Sequence, residues 1–247
     1  MKADPSAQLR LLDVQALDVR ADQLRHQRST LPEIAEIEKL TATRSERVDQ
    51  LRDQQIVVDD LTAAQKKADA DVEQVKTRRA RDQQRMDQGL VSNAKDLERL
   101  QHELASLDRR IADLEDEELE VMEQLEEAQQ MLAGLQRQIA EADDRLAELI
   151  EARDRRFAEI DGELERLDAD RGPLVADLPE DLLALYDRLR ESKGGVGAAE
   201  LRARQCGGCR LTLDNAELSQ IRSTPPDEVV RCEECQRILV RTPESGL

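Results

Sequence analysis

Four cysteines near the end of the chain are the residues whose type and spacing are equipped for chemistry. Cys206-Gly-Gly-Cys209 and Cys232-Glu-Glu-Cys235 are two C-x-x-C pairs with 22 residues between them, close to the spacing of a four-thiolate zinc site. Each pair closes a tight turn that aims two sulfurs at one point. Two such turns complete a tetrahedron with zinc–sulfur bonds of about 2.3 Å. With every position filled by cysteine no site is left for water, so the expected cofactor is one structural Zn2+ on Cys206, Cys209, Cys232 and Cys235. A redox role for the pairs would call for a thioredoxin-like βαβ pattern, which does not surround them.

The segments around the cysteines suit short strands. Val196 to Arg204 begins one, Leu211-Thr-Leu213 leaves the first turn, Glu228-Val-Val-Arg231 enters the second and Arg237-Ile-Leu-Val240 leaves it. Asn215 to Ile221 reads as a short helix, followed by the loop Ser223-Thr-Pro-Pro226. Two turns joined by short strands make a zinc ribbon over residues 196–247, and so small a core depends on its metal for folding free energy.

Everything upstream reads as helix. From Asn93 to about Asp170, Leu97, Leu104, Ile111, Leu125, Leu132, Ile139 and Leu146 fall on one heptad position. Leu100, Leu107, Leu114, Val121, Ala128, Leu135, Ala142 and Leu149 fall on the other, and Glu118 alone interrupts the first series. A seven-residue repeat held this long specifies a left-handed coiled coil. Phe157, Ile160, Leu164 and Leu167 continue it after a four-residue shift, a stutter. The partner helix lies upstream: Ile34, Ile37, Val48, Leu51 and Val58, then Leu61, Ala68, Val72 and Val75 in a shifted phase. Gly89 ends it and Ser92 or Asn93 caps the next, so residues 89–93 read as the tip of an antiparallel hairpin. Pro32 divides the first arm into 5–29 and 32–88, with a kink or restart. Arg171-Gly172-Pro173 is expected to stop the second arm. The expected organisation is mainly α: an antiparallel coiled-coil hairpin over 1–171, a short helical connector over 172–195 carrying Leu182, Leu183, Tyr186 and Leu189 on one face, and the small C-terminal β ribbon.

Composition excludes several function classes. The chain has 247 residues, 37 Lys+Arg against 55 Asp+Glu and a net charge of −18, with one Tyr, one Phe and no Trp. Such a chain builds a narrow helical seam rather than a large globular core. From Val196 onward seven Arg face eight Asp/Glu, so the helices hold nearly all the excess acid. An acidic rod is a poor general binder of nucleic acid, whose affinity rests on phosphate neutralisation. His26 and His102 stand isolated and no pocket-forming pair of catalytic groups is apparent, so no enzyme activity is expected. No apolar run approaches the roughly 18 residues needed to span a bilayer. The N-terminal residues lack the apolar core of a signal peptide, which places the thiols in a reducing cytoplasm where metal binding outcompetes disulfides.

The order of hairpin, Leu-Leu-Ala-Leu-Tyr-Asp-Arg-Leu-Arg, Gly-Gly-Val-Gly, Cys-Gly-Gly-Cys and Cys-Glu-Glu-Cys-Gln-Arg-Ile-Leu resembles a bacterial family of C4-type zinc-ribbon proteins with a coiled-coil hairpin. Asn93-Ala-Lys-Asp-Leu and Leu114-Glu-Asp-Glu-Glu-Leu-Glu-Val-Met are similar to it as well. The resemblance spans essentially the whole chain. It implies a ribbon at the open end of the hairpin and a nucleic-acid-binding or transcription-linked role, some flagellated relatives being described as chaperones of an alternative sigma factor and binders of flagellin messenger RNA. From the residues themselves, two partner classes stand. Arg202, Arg204, Arg210, Arg222, Arg231, Arg237 and Arg241 surround the cysteine turns and offer phosphate contacts to RNA or DNA, although the ribbon lacks aromatics for base stacking. Alternatively the hairpin is a scaffold or chaperone surface for a protein partner. Oligomeric state stays open.

Overall fold

The computed structural model describes residues 1–91 and 93–247, which fall into two compact units, Met1–Ile34 with Ile150–Leu247 and Ala35–Leu149. The fold is mainly α with a small C-terminal strand region. The helices are α1 (Pro5–Ser29), α2 (Pro32–Asp87), α3 (Ala94–Ala176), α4 (Glu180–Ser192) and α5 (Asn215–Ser223), and the strands are β1 (Ala198–Arg202), β2 (Gln205–Cys206), β3 (Val230–Arg231) and β4 (Ile238–Arg241). None of these helices is long and apolar enough to cross a membrane.

The unit Ala35–Leu149 is an antiparallel coiled coil of α2 and α3. Every heptad position read on α3 from Leu97 to Leu149 is buried or half-buried, Glu118 included. The facing positions on α2 keep a single heptad frame, Ile37, Arg44, Leu51, Val58, Gln65, Val72, Arg79 and Met86 with Leu40, Arg47, Gln54, Leu61, Ala68, Val75 and Asp82, all at least half-buried. The phase shift expected within α2 is therefore absent, and Val48 is 38% exposed instead of lying in the seam. The reason is chemical: polar side chains occupy part of that seam and hide its period. Four of them are satisfied across the pair, Arg44 on Asp143, Arg47 on Gln138, Arg79 on Asp108, and Gln54 on the Ala128 carbonyl at 3.1 Å, while Asp82 pairs with Arg78 and Arg85 of its own helix. Gly89 (φ +65°) follows the end of α2, and the Asn93 side chain accepts from the Lys95 N–H at 3.0 Å to cap α3. The alternative cap, Ser92, lies outside the described residues.

In the other unit, Asp4 caps α1, accepting from the Ser6 N–H at 2.8 Å with Pro5 in the first turn. The helix ends at Ser29 and α2 restarts at Pro32, as the proline implied. Pro173, in contrast, does not stop α3, which runs on to Ala176. Packing outweighs the lost backbone bond there: Leu174 and Val175 lie on a core formed by Leu11 and Val14 of α1, Leu178, and Leu182, Tyr186 and Leu189 of α4. The sheet order is β2-β1-β4-β3, with β1 and β4 parallel and the outer pairs antiparallel. Leu211-Thr-Leu213 contributes one bridge, Gln205 to Thr212, instead of a strand. Alternation divides the sheet: Ala198, Ile238 and Val240 join the α1–α4 core, whereas Ala199, Leu201 and Leu239 face the cysteines, Leu213 and α5. The N-terminus is tied to the same region, since Ala3 N–H donates to the Asp227 carbonyl (2.7 Å) and Val229 N–H to that of Met1 (3.0 Å).

Candidate metal centre and ribbon surface

The two C-x-x-C turns have the same construction. In the first, Arg210 N–H donates to the Cys206 carbonyl at 2.7 Å and Cys206 N–H to that of Leu211 at 3.0 Å. In the second, Gln236 N–H donates to the Cys232 carbonyl at 2.8 Å and Cys232 N–H to that of Arg237 at 3.0 Å. Both residues that follow a turn are left-handed, Arg210 at φ +64° and Gln236 at +65°, a local strain that the closed turn supports. Gly208 is required by proximity: a Cβ there would lie 2.6 Å from Arg237 Cδ and 3.2 Å from Ala199 Cβ. The second strand pair β3–β4 carries one turn, and β2 with its Thr212 bridge carries the other.

All four sulfurs lie within 4.8 Å of one another. Cys206 to Cys235 is 3.8 Å and Cys209 to Cys232 is 3.9 Å, while the edge of a tetrahedron with zinc–sulfur bonds of about 2.3 Å is about 3.8 Å. The donor set therefore fits one Zn2+. In the metal-free chain burial raises the Cys206 thiol and pushes Cys232 up to about 12. Burial opposes ionisation of Cys235 too, yet the backbone N–H and guanidinium of Arg237, with the neighbouring thiols, bring it to about 7. A divalent cation is what allows four clustered, half-buried sulfurs to be thiolates together.

The seven ribbon arginines have unequal roles. Arg241 donates to the carbonyls of Ile221, Thr224, Pro225, Pro226 and Glu228, between 2.7 and 3.3 Å. Arg237 donates to the Val196 and Lys193 carbonyls at 2.9 and 2.7 Å, and Arg231 to that of Gln236 at 2.9 Å. Arg202 pairs with Glu244 at 2.8 Å, and Arg204 donates to Asn215. Arg210 and Arg222 are exposed and donate no side-chain hydrogen bond among the described residues. The sequence does not bring the seven onto one free face.

Side chains of α1 that the sequence did not single out position the ribbon. Gln15 Oε1 accepts from the N–H groups of Gly197 (2.7 Å) and Ala198 (3.2 Å), and its amide donates to the Gly195 carbonyl (2.8 Å). Asp18, 5% exposed, accepts from Arg171 (2.8 Å) and from the Tyr186 hydroxyl (2.7 Å). Burial first, then Asp18, raises the Tyr186 phenol well above its ordinary value, and the bond that Arg171 donates to Asp18 raises Arg171. The signal for both was a polar residue beside Leu11, Val14 and Ala21 on an otherwise apolar helical stripe.

Coiled-coil hairpin and four-cysteine ribbon together define a class of helical zinc-ribbon protein. The match is specific: residues 14–194 fit the CT398-like coiled coil hairpin domain and residues 205–239 the C4-type zinc ribbon domain. The chain belongs to this CT398-like family, and its ribbon is of the type that holds one structural Zn2+. An uncharacterised protein of Mycobacterium tuberculosis is 36% identical over 241 residues, covering 98% of each chain, and one of Mycobacterium leprae is 30% identical over 218 residues, 88% of this chain and 93% of that one. Among solved structures, a protein of Mycobacterium smegmatis superposes with a TM-score of 0.82 at 35% identity, over 98% of this chain and 100% of that one. CT398 of Chlamydia trachomatis shares the fold at a TM-score of 0.69 and 19% identity, over 96% and 98% of the two chains.

Proposed function

We propose that the chain is a non-enzymatic adaptor of the cytoplasm, in which Cys206, Cys209, Cys232 and Cys235 hold one structural Zn2+ and the coiled-coil hairpin presents a surface to a protein partner. One observation carries the choice of protein over nucleic acid. Of the seven arginines that would have formed a phosphate-binding face, Arg231, Arg237 and Arg241 are committed to backbone carbonyls and Arg202 to a carboxylate. What remains is Arg204, which donates to the neutral Asn215 side chain, with Arg210 and Arg222, in a ribbon where seven Arg face eight Asp/Glu.

Those three support a second reading, in which the ribbon touches RNA or DNA and the adaptor is transcription-linked, as the family resemblance implies. Three phosphate contacts would give a shallow salt dependence, a slope of about −2 to −3 in log K against log salt. Photocrosslinking amino acids placed one at a time along α2 and α3, and at Arg210 and Arg222, test the choice in the zinc-loaded full chain within a bacterial host. Protein adducts from the helices are expected. Nucleic-acid adducts at Arg210 and Arg222, with none from the helices, would overturn the protein-scaffold reading in favour of the second.

A further inference from the structure

Charge is distributed abruptly within the unit Ala35–Leu149. Residues 35–75 and 111–149 hold 8 Lys/Arg against 23 Asp/Glu, a net −15, whereas residues 76–110, which flank the turn, hold 9 against 6, a net +3. The Debye length of about 10 Å at 0.1 M salt makes such a patch felt locally, whatever the −18 of the whole chain. Several of its cations are free. Arg81 and Lys95 are exposed and form no ion pair among the described residues, Arg99 reaches only Asp96 and Arg110 only Glu117, each on its own helix at 3.7 Å, whereas Lys76, Arg78 and Arg79 are paired with Glu115, Glu103 and Asp108 across the coiled coil.

The same end exposes apolar surface. Leu90 is 68% exposed, the highest value among the large hydrophobics described. With Val91 and Leu100 it lines a groove of about 350 Å³ whose rim includes Arg85 and Arg99. A second groove, of about 790 Å³, has Val75 and the buried seam residue Leu107 at its floor and Arg78, Arg81 and Arg110 beside them, with Glu73 on its rim. Asp96 and Glu103 are on the rim of the first, whose Leu100 is likewise buried in the seam. Aliphatic side chains bordered by guanidinium groups complement a helix that presents Leu-type side chains on one face and carboxylates beside them. Nucleic acid is matched less well, because residues 76–110 contain no Phe, Tyr or Trp on which bases could stack, His102 being their single aromatic ring.

We infer that the turn end of the hairpin, residues 76–110, docks an acidic amphipathic helix of a protein partner, its carboxylates on Arg81, Arg99 and Arg110 and its apolar face on Leu90 and the Val75–Leu107 groove. The inference rests on the protein-scaffold reading above and assigns that role to one end of the coiled coil.

The test is fluorescence anisotropy with the zinc-loaded full chain. The probe is a fluorescein-labelled helical peptide with Leu at i, i+3, i+4 and i+7 and Glu elsewhere. The comparison probes are the same peptide with Lys for Glu, a Leu-free poly-Glu peptide and a single-stranded RNA. The acidic amphipathic peptide should bind, weaken as salt rises from about 50 to about 300 mM, and lose at least about tenfold in affinity with Arg81→Glu/Arg99→Glu. Leu90→Ser should weaken it about threefold to tenfold without altering salt dependence. Both variants change exposed side chains, and unchanged helical circular dichroism confirms that they fold. Absence of peptide binding, equal binding of poly-Glu, or tighter binding of RNA with the same sensitivity to Arg81→Glu/Arg99→Glu would overturn the inference. Protein adducts confined to residues 35–75 and 111–149 in the photocrosslinking experiment would also overturn it while leaving the scaffold reading intact.

Discussion

Removal of the Asp18 carboxylate should loosen the unit that carries the ribbon, and the size of the effect follows from its contacts. The carboxylate is 5% exposed and accepts from the Tyr186 hydroxyl at 2.7 Å and Arg171 at 2.8 Å, with Arg190 at 3.6 Å. Tyr186 is fully buried, so Asp18→Ala strands its hydroxyl without water, and a bond to a charged acceptor contributes about 1.5–3 kcal/mol. The two guanidinium groups keep side-chain exposures of 27% and 24% and regain some hydration, which limits their loss to about 1–2 kcal/mol. Asp18→Ala should therefore cost about 3–5 kcal/mol, and Asp18→Asn, which keeps an acceptor for Tyr186, about 1–3. Tyr186→Phe combined with Asp18→Ala should cost less than the sum of the two by about 1–2 kcal/mol. Urea unfolding followed by tyrosine emission isolates this unit in the Asp18 variants, because Tyr186 is the one Tyr of a chain without Trp, and all four proteins of the cycle are compared by far-ultraviolet circular dichroism. The raised phenol adds a pH signature. The folded protein holds that proton more tightly than the unfolded chain, so this contribution is fully present below the ordinary value of 10 and is lost as pH climbs above it. Refutation would be an Asp18→Ala midpoint no lower than that of exposed Asp168→Ala, or a zero coupling energy in the cycle with Tyr186.

Three further outcomes are expected. Chelation of zinc, or Cys232→Ser, should abolish amide-exchange protection in residues 205–213 and 230–237 but leave it in α1 and α4, because the cysteine-side core contains Cys206 and Cys232 whereas the opposite face of the sheet is held by α1 and α4; uniform loss across both would contradict this. Gly197→Ala should destabilise by about 1–3 kcal/mol in a urea titration, since its Cβ would stand 2.5 Å from the Tyr186 carbonyl and 3.1 Å from the Arg190 nitrogen. Gln65→Leu, in the α2 seam between Val58 and Val72, should raise thermal stability by about 1 kcal/mol, read as a higher midpoint of the helical signal; a fall would show that Gln65 does not face α3.

How far the sequence could be read depended on whether local pattern or distant packing decides each feature. The α3 seam was legible because its heptads are filled with Leu, Ile and Val, and the cysteine site because two C-x-x-C turns bring their own geometry. Strict period failed on α2, where Arg44, Arg47, Gln54, Arg79 and Asp82 occupy seam positions, so the apolar residues alone suggested a shifted phase and a wrong place for Val48. Pro173 misled for the opposite reason. Its local signal to stop was correct, but Leu174 and Val175 pack on the α1–α4 core and Arg171 binds Asp18, and the α1 side of these contacts comes from residues more than 150 positions away.

The arginines make the same distinction with consequences for function. Arg241 and Arg81 are both single arginines in a mixed charge run, yet one donates to carbonyls from Ile221 to Glu228 and the other lies exposed beside an apolar groove. An arginine that gathers five loop carbonyls cannot turn to a phosphate without leaving them unpaired, which costs most at the part-buried Ile221 and Thr224 carbonyls. Arg241 is thereby made structural by the loop Thr224–Glu228, whose carbonyls take hydrogen bonds from Arg241 and, at Pro226 and Asp227, from Gln8 and Ala3 of the N-terminal segment. Near the turn of the coiled coil, among the described residues, no arginine donates to a loop carbonyl: the Gln84, Arg85 and Met86 carbonyls accept from the N–H groups of Gln88, Leu90 and Gly89, and Asn93 caps the start of α3. Arg81 and Lys95 there form no ion pair among the described residues and can meet a partner, and this is why a surface near the turn, which carries no motif, has a stronger physical claim to recognition than the arginines around the conspicuous cysteines.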